Sequence, residues 1–211
     1  MSLSRLSPRG VGLGRAAWTL QPLYVVTEVV VGLQASRDYG FTDSTISDLG
    51  NTSCRTVRGD VLCSPWHTAM NIGFIWFGVT LALGALLLGS RTLPGRTGTA
   101  AVVVWCVSGL GSVGVGLVPV NEHGGLHGLV ALPVFLAQPT ALLLTAFSLW
   151  AMRPRLARAT LVVAALSAVG VVGFAALLAG DGSTALGALE RLALWPGYVW
   201  VGVVAALSRT R

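Results

Sequence analysis

The sequence predicts an all-α integral membrane protein with six transmembrane helices and both termini in the cytoplasm. Hydrophobic residues make up 54% of the 211 residues and charged residues only 10%, whereas a soluble domain carries about 25% charge. The apolar residues form six segments long enough to cross a bilayer. Basic and acidic residues are concentrated in alternate connections between these segments. Together these observations exclude an ordinary soluble domain.

The charge distribution predicts the side of the membrane on which each connection lies. All 14 basic residues are Arg, and ten of them occupy the N-terminus, every second connection and the C-terminal tail. Cytoplasmic loops carry an excess of basic residues, so these ten mark the cytoplasmic side. The pI of about 10.2 follows from this topology and from contact with anionic lipid, and it does not indicate a nucleic-acid partner. The ten are Arg5, Arg9, Arg15, Arg91, Arg96, Arg153, Arg155, Arg158, Arg209 and Arg211; the other side carries Arg37, Arg55, Arg58 and Arg191 with the acids Asp38, Asp43, Asp48, Asp60, Glu122, Asp181 and Glu190.

The six spans leave no room for a separate soluble module, so residues 1–211 are expected to form one transmembrane domain. Pro22 lies inside the first span and is expected to kink it. The sixth span is short, which leaves open that it begins earlier or lies tilted. Arg without Lys, with abundant Ala, Gly and Val, is typical of a GC-rich genome and predicts a bacterial cytoplasmic membrane. The predicted spans are 16–34, 67–89, 99–120, 126–150, 159–179 and 192–207.

The longest connection, 35–66, is expected on the extracytoplasmic side. It contains Cys54 and Cys63. Thiols that face an oxidising compartment usually pair, so we expect a disulfide that closes a small loop. The alternative is two free thiols.

Glu28 is an ionisable residue inside the first span. Such a group costs on the order of 2.5–3.5 kcal/mol on insertion scales, so it is expected to face a cavity or a partner and not lipid. Gln21, Tyr24 and Glu28 share one helix face, which should point into the bundle. The alternative to a cavity is a structural hydrogen bond to another helix.

All three histidines are predicted at the same membrane depth on the outer side. His67 and Asn71 lie one turn apart at the start of the second span, while Asn121, His123 and His127 cluster between the third and fourth spans. Three His and a carboxylate form a recognised ligand set for zinc or another divalent transition metal. The alternative is a metal-free network of His, Asn and acid suited to general acid–base chemistry.

The third span contains the pattern G-x-G-x-x-G at residues 109–114. The dinucleotide-binding version of this pattern follows a strand and opens a helix, whereas this one lies in the middle of a span. We therefore interpret the small residues as a packing face that lets a neighbouring helix approach closely. The same face could serve a helix partner or a second copy of the chain, through Gly109, Gly111, Gly114 and Gly116.

The external loop also contains a short motif at residues 45–51. Ser47 or Asp48 can cap a short helix, and Gly50 with Asn51 can turn the chain. One interpretation is a structured surface loop. The other is that the loop folds over the mouth of the bundle and brings Asp48 toward the histidines.

The segment Ile46-Ser47-Asp48-Leu49-Gly50 resembles the signature of a bacterial six-helix membrane family known as domain of unknown function nine-nine-eight. Asn71 and Asn121 fit that resemblance, which covers nearly the whole chain. An Ile-Ser-Asp element also makes the chain distantly similar to the Frag/Sfk/DRAM membrane family, some members of which are linked to lipid remodelling. The resemblance implies the six-helix topology and suggests lipid as a partner.

These features lead to one main functional hypothesis: an outward-facing polar pocket binds, and in one version chemically modifies, a lipid or another amphiphile. In that version Asp48 or Glu28 orients a histidine that acts as a base toward water or a hydroxyl. The candidate catalytic residues are Asp48, His67, His123, His127 and Glu28; the candidate substrate-binding residues are Asn71, Asn121, Asn51 and Tyr24; the candidate metal ligands are His67, His123 and His127.

Two alternatives remain open at this stage. A small proton-coupled transporter would use Glu28 as its titrating group, although the inner halves of the spans lack charged residues for a complete path. A non-catalytic accessory subunit would use the small-residue face of the third span to bind its partner.

Overall fold

The fold is dominated by seven helices and one short hairpin within the described residues. The structure is a computed structural model and describes residues 7–57, 59–180 and 184–208. Five charged residues of the predicted pattern, Arg5, Arg58, Asp181, Arg209 and Arg211, lie outside these residues. The helices are α1 (Pro8–Thr19), α2 (Leu23–Gly32), α3 (His67–Thr92), α4 (Gly95–Leu117), α5 (Gly124–Leu149), α6 (Pro154–Ala179) and α7 (Leu186–Leu207).

Four of these helices, α3 to α6, are long and apolar enough to cross a membrane. Each has 23 or 26 residues and a stretch with a mean hydropathy between 1.8 and 2.6. A helix of about 20 residues spans the hydrocarbon core of a bilayer. The four helices correspond to the second to fifth predicted spans, and they confirm that these segments are helices with the length and hydropathy of membrane spans.

The first predicted span, 16–34, is not a single helix. Helix α1 begins at Pro8 with Ser7 as its N-cap, and it ends at Thr19. Proline has no N–H to continue the hydrogen-bond ladder, and the chain passes through three residues of turn before α2 begins at Leu23. The expected disturbance at Pro22 is therefore a break into two helices of 12 and 10 residues.

Helix α7 begins six residues earlier than the predicted span 192–207. It starts at Leu186, after Ala185 adopts a left-handed backbone conformation with φ 69°. Glu190 and Arg191, which the sequence pattern assigns to a connection, are therefore part of the helix and are buried. The helix bundle therefore contains two more charged residues than the predicted spans do.

The helices form a closed ring in chain order. Helix α4 packs between α3 and α5, α6 packs between α5 and α7, and α1 and α2 close the ring between α7 and α3. Gly109 and Gly116 lie against the backbone of α3, while Gly111 and Gly114 contact Val130 on α5. The small-residue face therefore packs within the chain, and the surface suggested for a helix partner or a second copy is covered by α3 and α5.

The long connection contains the two-stranded part of the fold. Strands β1 (Arg55–Val57) and β2 (Asp60–Leu62) pair antiparallel. Cys54 and Cys63 flank the hairpin and form a disulfide, which confirms the expected pairing.

Trp18 fastens α1 to α3 and sets a steric requirement at Gly84. The indole is fully buried and donates a hydrogen bond from Nε1 to the Leu81 carbonyl at 3.0 Å. A Cβ atom at Gly84 would overlap the five-membered ring of Trp18. The close approach of α1 to α3 thus depends on the absence of a side chain at this position.

A matched pair of glycine substitutions tests this packing. Gly84→Ala forces the rigid indole or the helix to move, and overpacking of this kind costs about 1–3 kcal/mol. Gly12→Ala, on α1 with open space around it, should be neutral or stabilising by up to about 1 kcal/mol because alanine is the better helix former. Thermal unfolding in detergent, followed by circular dichroism, measures both. Equal midpoints for the two variants would contradict the close approach.

Candidate functional site

The loop motif forms a short helical plug at one end of the bundle. We call residues 45–53 the plug and this end the plug end. Its centre is a 3₁₀ helix, Ser47–Gly50. The Asp48 carboxylate accepts hydrogen bonds from the Thr45 backbone N–H at 2.9 Å and from the Thr45 hydroxyl at 2.7 Å, and Thr45 Oγ1 accepts from the Asp48 N–H at 3.2 Å. This reciprocal pairing has the form of a capping box, and it closes the turn.

Apolar side chains anchor the plug in the bundle. Ile46 and Leu49 are 1% and 0% exposed. Gly50 sits so close to Asn71 that a Cβ atom would lie 2.5 Å from the amide oxygen. The motif thus has large apolar residues, Ile46 and Leu49, where its side chains are buried, and glycine at position 50, where its backbone approaches Asn71.

Side chains from three parts of the bundle bond to the plug. Asn71 on α3 donates to the Gly50 carbonyl at 2.9 Å. Asn121, before α5, accepts from the Thr52 N–H and donates to the Thr52 hydroxyl, both at 3.1 Å. Glu190 on α7 accepts from the Ile46 N–H at 2.5 Å. Two of the predicted substrate-binding residues, Asn71 and Asn121, thus hold the chain's own plug in place.

His127 on α5 contacts the plug through Ser47. Its Nδ1 lies 2.6 Å from the Val118 carbonyl oxygen and its Nε2 lies 3.0 Å from Ser47 Oγ. A carbonyl can only accept, so Nδ1 carries a proton, and in the neutral ring Nε2 is the acceptor for the Ser47 hydroxyl. For this histidine the group at Nδ1 is the Val118 backbone carbonyl, and not the carboxylate of Asp48 or Glu28.

Glu28 pairs with Arg191 in the interior. The Arg191 Nη2 and Nε atoms lie 2.8 and 2.9 Å from Glu28 Oε1. Trp195 donates from Nε1 to Glu28 Oε2 at 2.5 Å. Glu28 is 0% exposed and the Arg191 side chain 7%. The sequence left open whether Glu28 lines a cavity or bonds to another helix; in the structure it forms an ion pair with Arg191 on α7.

Arg191 also clamps the first part of the long connection. Its Nη1 donates to the carbonyls of Phe41 and Ser44 at 2.5 and 2.9 Å, and its Nη2 donates to the Tyr39 hydroxyl at 2.6 Å. With the Nε bond to Glu28, the guanidinium donates four hydrogen bonds, and its Nη2 also forms the ion-pair contact with Glu28. Burial raises the pKa of the Tyr39 hydroxyl, so it stays protonated and donates in turn to the Thr45 carbonyl at 3.3 Å.

A small cavity of about 20 Å³ lies beneath the plug. This volume accommodates about one water molecule. Its wall combines aromatic and aliphatic side chains with the polar residues Ser47, Ser112 and Glu190. Tyr24 and Tyr198, whose rings stack with their centroids 4.2 Å apart, also line it. Tyr24 therefore faces the interior, as the shared helix face predicts.

The three histidines do not assemble a metal site. His67 Nδ1 lies 3.0 Å from the Ser64 carbonyl at the start of α3, His123 is exposed before α5, and His127 is buried against the plug. Among the described residues there is no group of three or more His, Cys, Asp or Glu able to hold a metal ion. The predicted zinc ligand set thus does not fit this arrangement. Asn51, the remaining predicted substrate contact, is buried, and its amide nitrogen lies 3.4 Å from Asp48 Oδ1.

Sequence reasoning missed Arg191 and Glu190 as site residues. Both were assigned to a connection because charges usually end a span. The signal that could have identified them is the short sixth span, which needed more residues to cross a membrane, together with the unpaired Glu28. A buried carboxylate calls for a buried cation.

The ion pair gives a measurable stability. Arg191→Met leaves the Glu28 carboxylate buried without its counter-charge, and breaking a buried pair on one side costs about 3–5 kcal/mol. Adding Glu28→Gln removes the unpaired charge and should recover part of this loss. Unfolding in detergent, followed by circular dichroism, gives the stability of each variant in this double-mutant cycle. Val26→Ala, at an exposed position on α2, is the control. R191M as stable as V26A would contradict the coupling.

Comparison with known proteins places the chain in a family. No curated protein and no solved structure matches it. A family model described as "Protein of unknown function (DUF998)" matches residues 21–207, the stretch from the turn between α1 and α2 to the end of α7. This match confirms the resemblance seen in the plug motif, and the chain belongs to this family of unknown function.

Proposed function

We propose that the protein crosses the bacterial cytoplasmic membrane six times, with both termini inside and the plug end outside. Helices α1 and α2 together form the first span, and α7 forms the sixth. The Arg-rich connections at the opposite end from the plug support this orientation. The disulfide in the plug-side connection also supports it, because disulfides persist in oxidising compartments.

At the outer face, we infer that the protein binds a lipid or another amphiphile from the outer leaflet. The observation that carries this proposal is the cavity beneath the plug, which is lined by apolar and aromatic side chains with a few polar groups. Such a lining is typical of small-molecule sites. The apolar wall suits an acyl chain, and the polar groups near Ser47 and Glu190 suit a head group.

The cavity must enlarge before it can bind. Ligand pockets usually measure about 300–1,000 Å³, and this one measures about 20 Å³. The plug is the element able to move, since hydrogen bonds to helix side chains hold much of it, and lipid head groups or water can replace such bonds. We therefore propose that the plug opens and closes again over the bound amphiphile, as lids do in other proteins.

The contacts of Glu28 favour this reading over the proton-coupled transporter. Both carboxylate oxygens of Glu28 are already bonded, one to Arg191 and one to Trp195. A transported proton would have to displace one of these partners. The small-residue face suggested as the partner surface of an accessory subunit packs against helices of the same chain. No specific observation therefore favours the accessory-subunit alternative.

Filling the cavity tests the binding proposal. Ala131 lines the cavity, whereas Ala165 on α6 is exposed on the outside of the bundle. We expect Ala131→Leu to reduce the amount of lipid that co-purifies with the protein, because the larger side chain occupies the pocket, and Ala165→Leu to leave it unchanged. Native mass spectrometry after gentle detergent extraction counts the bound lipids. Equal retention by both variants, with both folded, would sink the proposal.

Thiol labelling tests the orientation. After mild reduction of intact cells, a membrane-impermeant maleimide should label Cys54 and Cys63 because the plug end faces outward. Ser90→Cys, placed at the opposite end of α3 in a chain with Cys54 and Cys63 changed to Ala, should react only after the membrane is permeabilised. Labelling of the Ser90→Cys protein in intact cells would reverse the proposed topology.

A further inference from the structure

We propose that Ser47 is a nucleophile activated by His127, and that the plug end cleaves or transfers the acyl group of a carboxylic ester. This inference rests on the proposed binding of an amphiphile beneath the plug. It adds a reaction class and names the two residues that carry it.

The geometry is that of a nucleophile, a base and a group that orients the base. Ser47 Oγ lies 3.0 Å from His127 Nε2, within the range of a serine–histidine pair. The Val118 carbonyl, 2.6 Å from Nδ1, fixes the tautomer that leaves Nε2 free to accept a proton. In serine hydrolases a carboxylate orients the imidazole and also stabilises the imidazolium that forms; here the neutral Val118 carbonyl supplies the orientation.

The position of Ser47 supports a role beyond holding the plug. Its side chain lines the cavity, so a bound molecule would lie against the hydroxyl. Ser47 is the first residue of the 3₁₀ helix, and the Thr45–Asp48 capping box holds that turn in shape. The pair is complete when the plug is closed, so the chemistry would follow closure over the substrate.

The cavity lining favours a carboxylic ester over a phosphate ester. The Glu190 carboxylate lies in the wall, and Arg191 beside it is fully engaged with Glu28 and the loop backbone. An anionic phosphate would find no cationic side chain among the lining residues. A neutral ester carbonyl between an acyl chain and a head group meets no such penalty.

The reaction proceeds in two balanced steps. Ser47 Oγ attacks the carbonyl carbon while its proton passes to His127 Nε2. The carbon–oxygen bond to the leaving alcohol then breaks, His127 returns the proton to that oxygen, and the acyl group remains as an ester on Ser47. Water, or the hydroxyl of an acceptor lipid, attacks the acyl-enzyme while its proton passes to His127. The bond from the acyl carbon to Ser47 Oγ then breaks and His127 gives that proton to Ser47 Oγ, which releases the acid or the new ester and restores the pair. Tyr24 and Tyr198 lie in the same wall, and a tyrosine hydroxyl is a group of the kind that can donate to a carbonyl oxygen as it gains charge.

An alkyl fluorophosphonate, which phosphonylates activated serines, tests the pair on the full-length protein in lipid nanodiscs. Peptide mass spectrometry should find the adduct on Ser47. His127→Asn can keep a donor to Val118 but removes the base, and we expect it to slow labelling by at least about 100-fold, the lower range for loss of a general base. Ser44→Ala, which removes a buried hydroxyl from the same connection without touching His127, should label at the wild-type rate.

A second variant keeps the test decisive if H127N folds poorly. Ser47→Cys puts a thiol beside the imidazole, and a neighbouring base increases the thiolate fraction. Its alkylation by iodoacetamide should be faster than that of Ser44→Cys. No adduct on Ser47, or labelling and alkylation rates that do not depend on His127, would overturn the inference.

Counting bound lipid in the same samples separates the two proposals. Lipid retention without Ser47 reactivity overturns the dyad and leaves the binding proposal standing. Ser47 reactivity that depends on His127, without lipid retention, supports the dyad and removes the membrane amphiphile as its substrate. Loss of both removes both.

Discussion

The buried ion pair between Glu28 and Arg191 is the interaction on which the rest of the plug end depends. An isolated charge in an apolar interior is costly, so the carboxylate on α2 and the guanidinium on α7 need each other. The same guanidinium holds two loop carbonyls and the Tyr39 hydroxyl. Arg191 thereby joins two helices to the segment that leads into the plug. A lysine could carry the charge, but it has three donors and no planar fork with which to reach all these acceptors.

Beyond this pair, the plug end is built largely from side chains that bond to backbone. Asn71 bonds to the Gly50 carbonyl, Glu190 to the Ile46 N–H and His127 to the Val118 carbonyl. Loop backbone buried among helices must find partners or lose stability, and these side chains supply them. The arrangement positions Ser47 closely, and the plug is held both by these hydrogen bonds and by the buried side chains of Ile46 and Leu49. The opening proposed for the plug would have to release both kinds of contact.

The positions of the long helices could be predicted from the sequence because hydropathy and charge are averaged over many residues. Twenty-residue apolar windows and the excess of arginine in alternate connections do not depend on any single contact, and they identified α3 to α6 within a few residues. Single residues decided the two errors of extent: Pro22 divided the first span, and Ala185 allowed α7 to begin at Leu186. In the structure Asn71, Asn121 and His127 all contact the plug at one end of the bundle. Their partners were not predictable, since a carbonyl such as that of Val118 has no signature in the sequence, and since Arg191 lies 163 residues from Glu28.

That separation has a consequence for how the protein is made. Ribosomes add about 5–20 residues per second, so roughly 8–30 s pass between the synthesis of Glu28 and that of Arg191. During this interval α2 carries an acid whose eventual partner does not yet exist. Until then the carboxylate has to stay solvated or protonated, because an unpaired buried charge is costly. Helix α7 thus completes a contact that α2 begins, and a chain that stops before Arg191 is left with an unmatched acid.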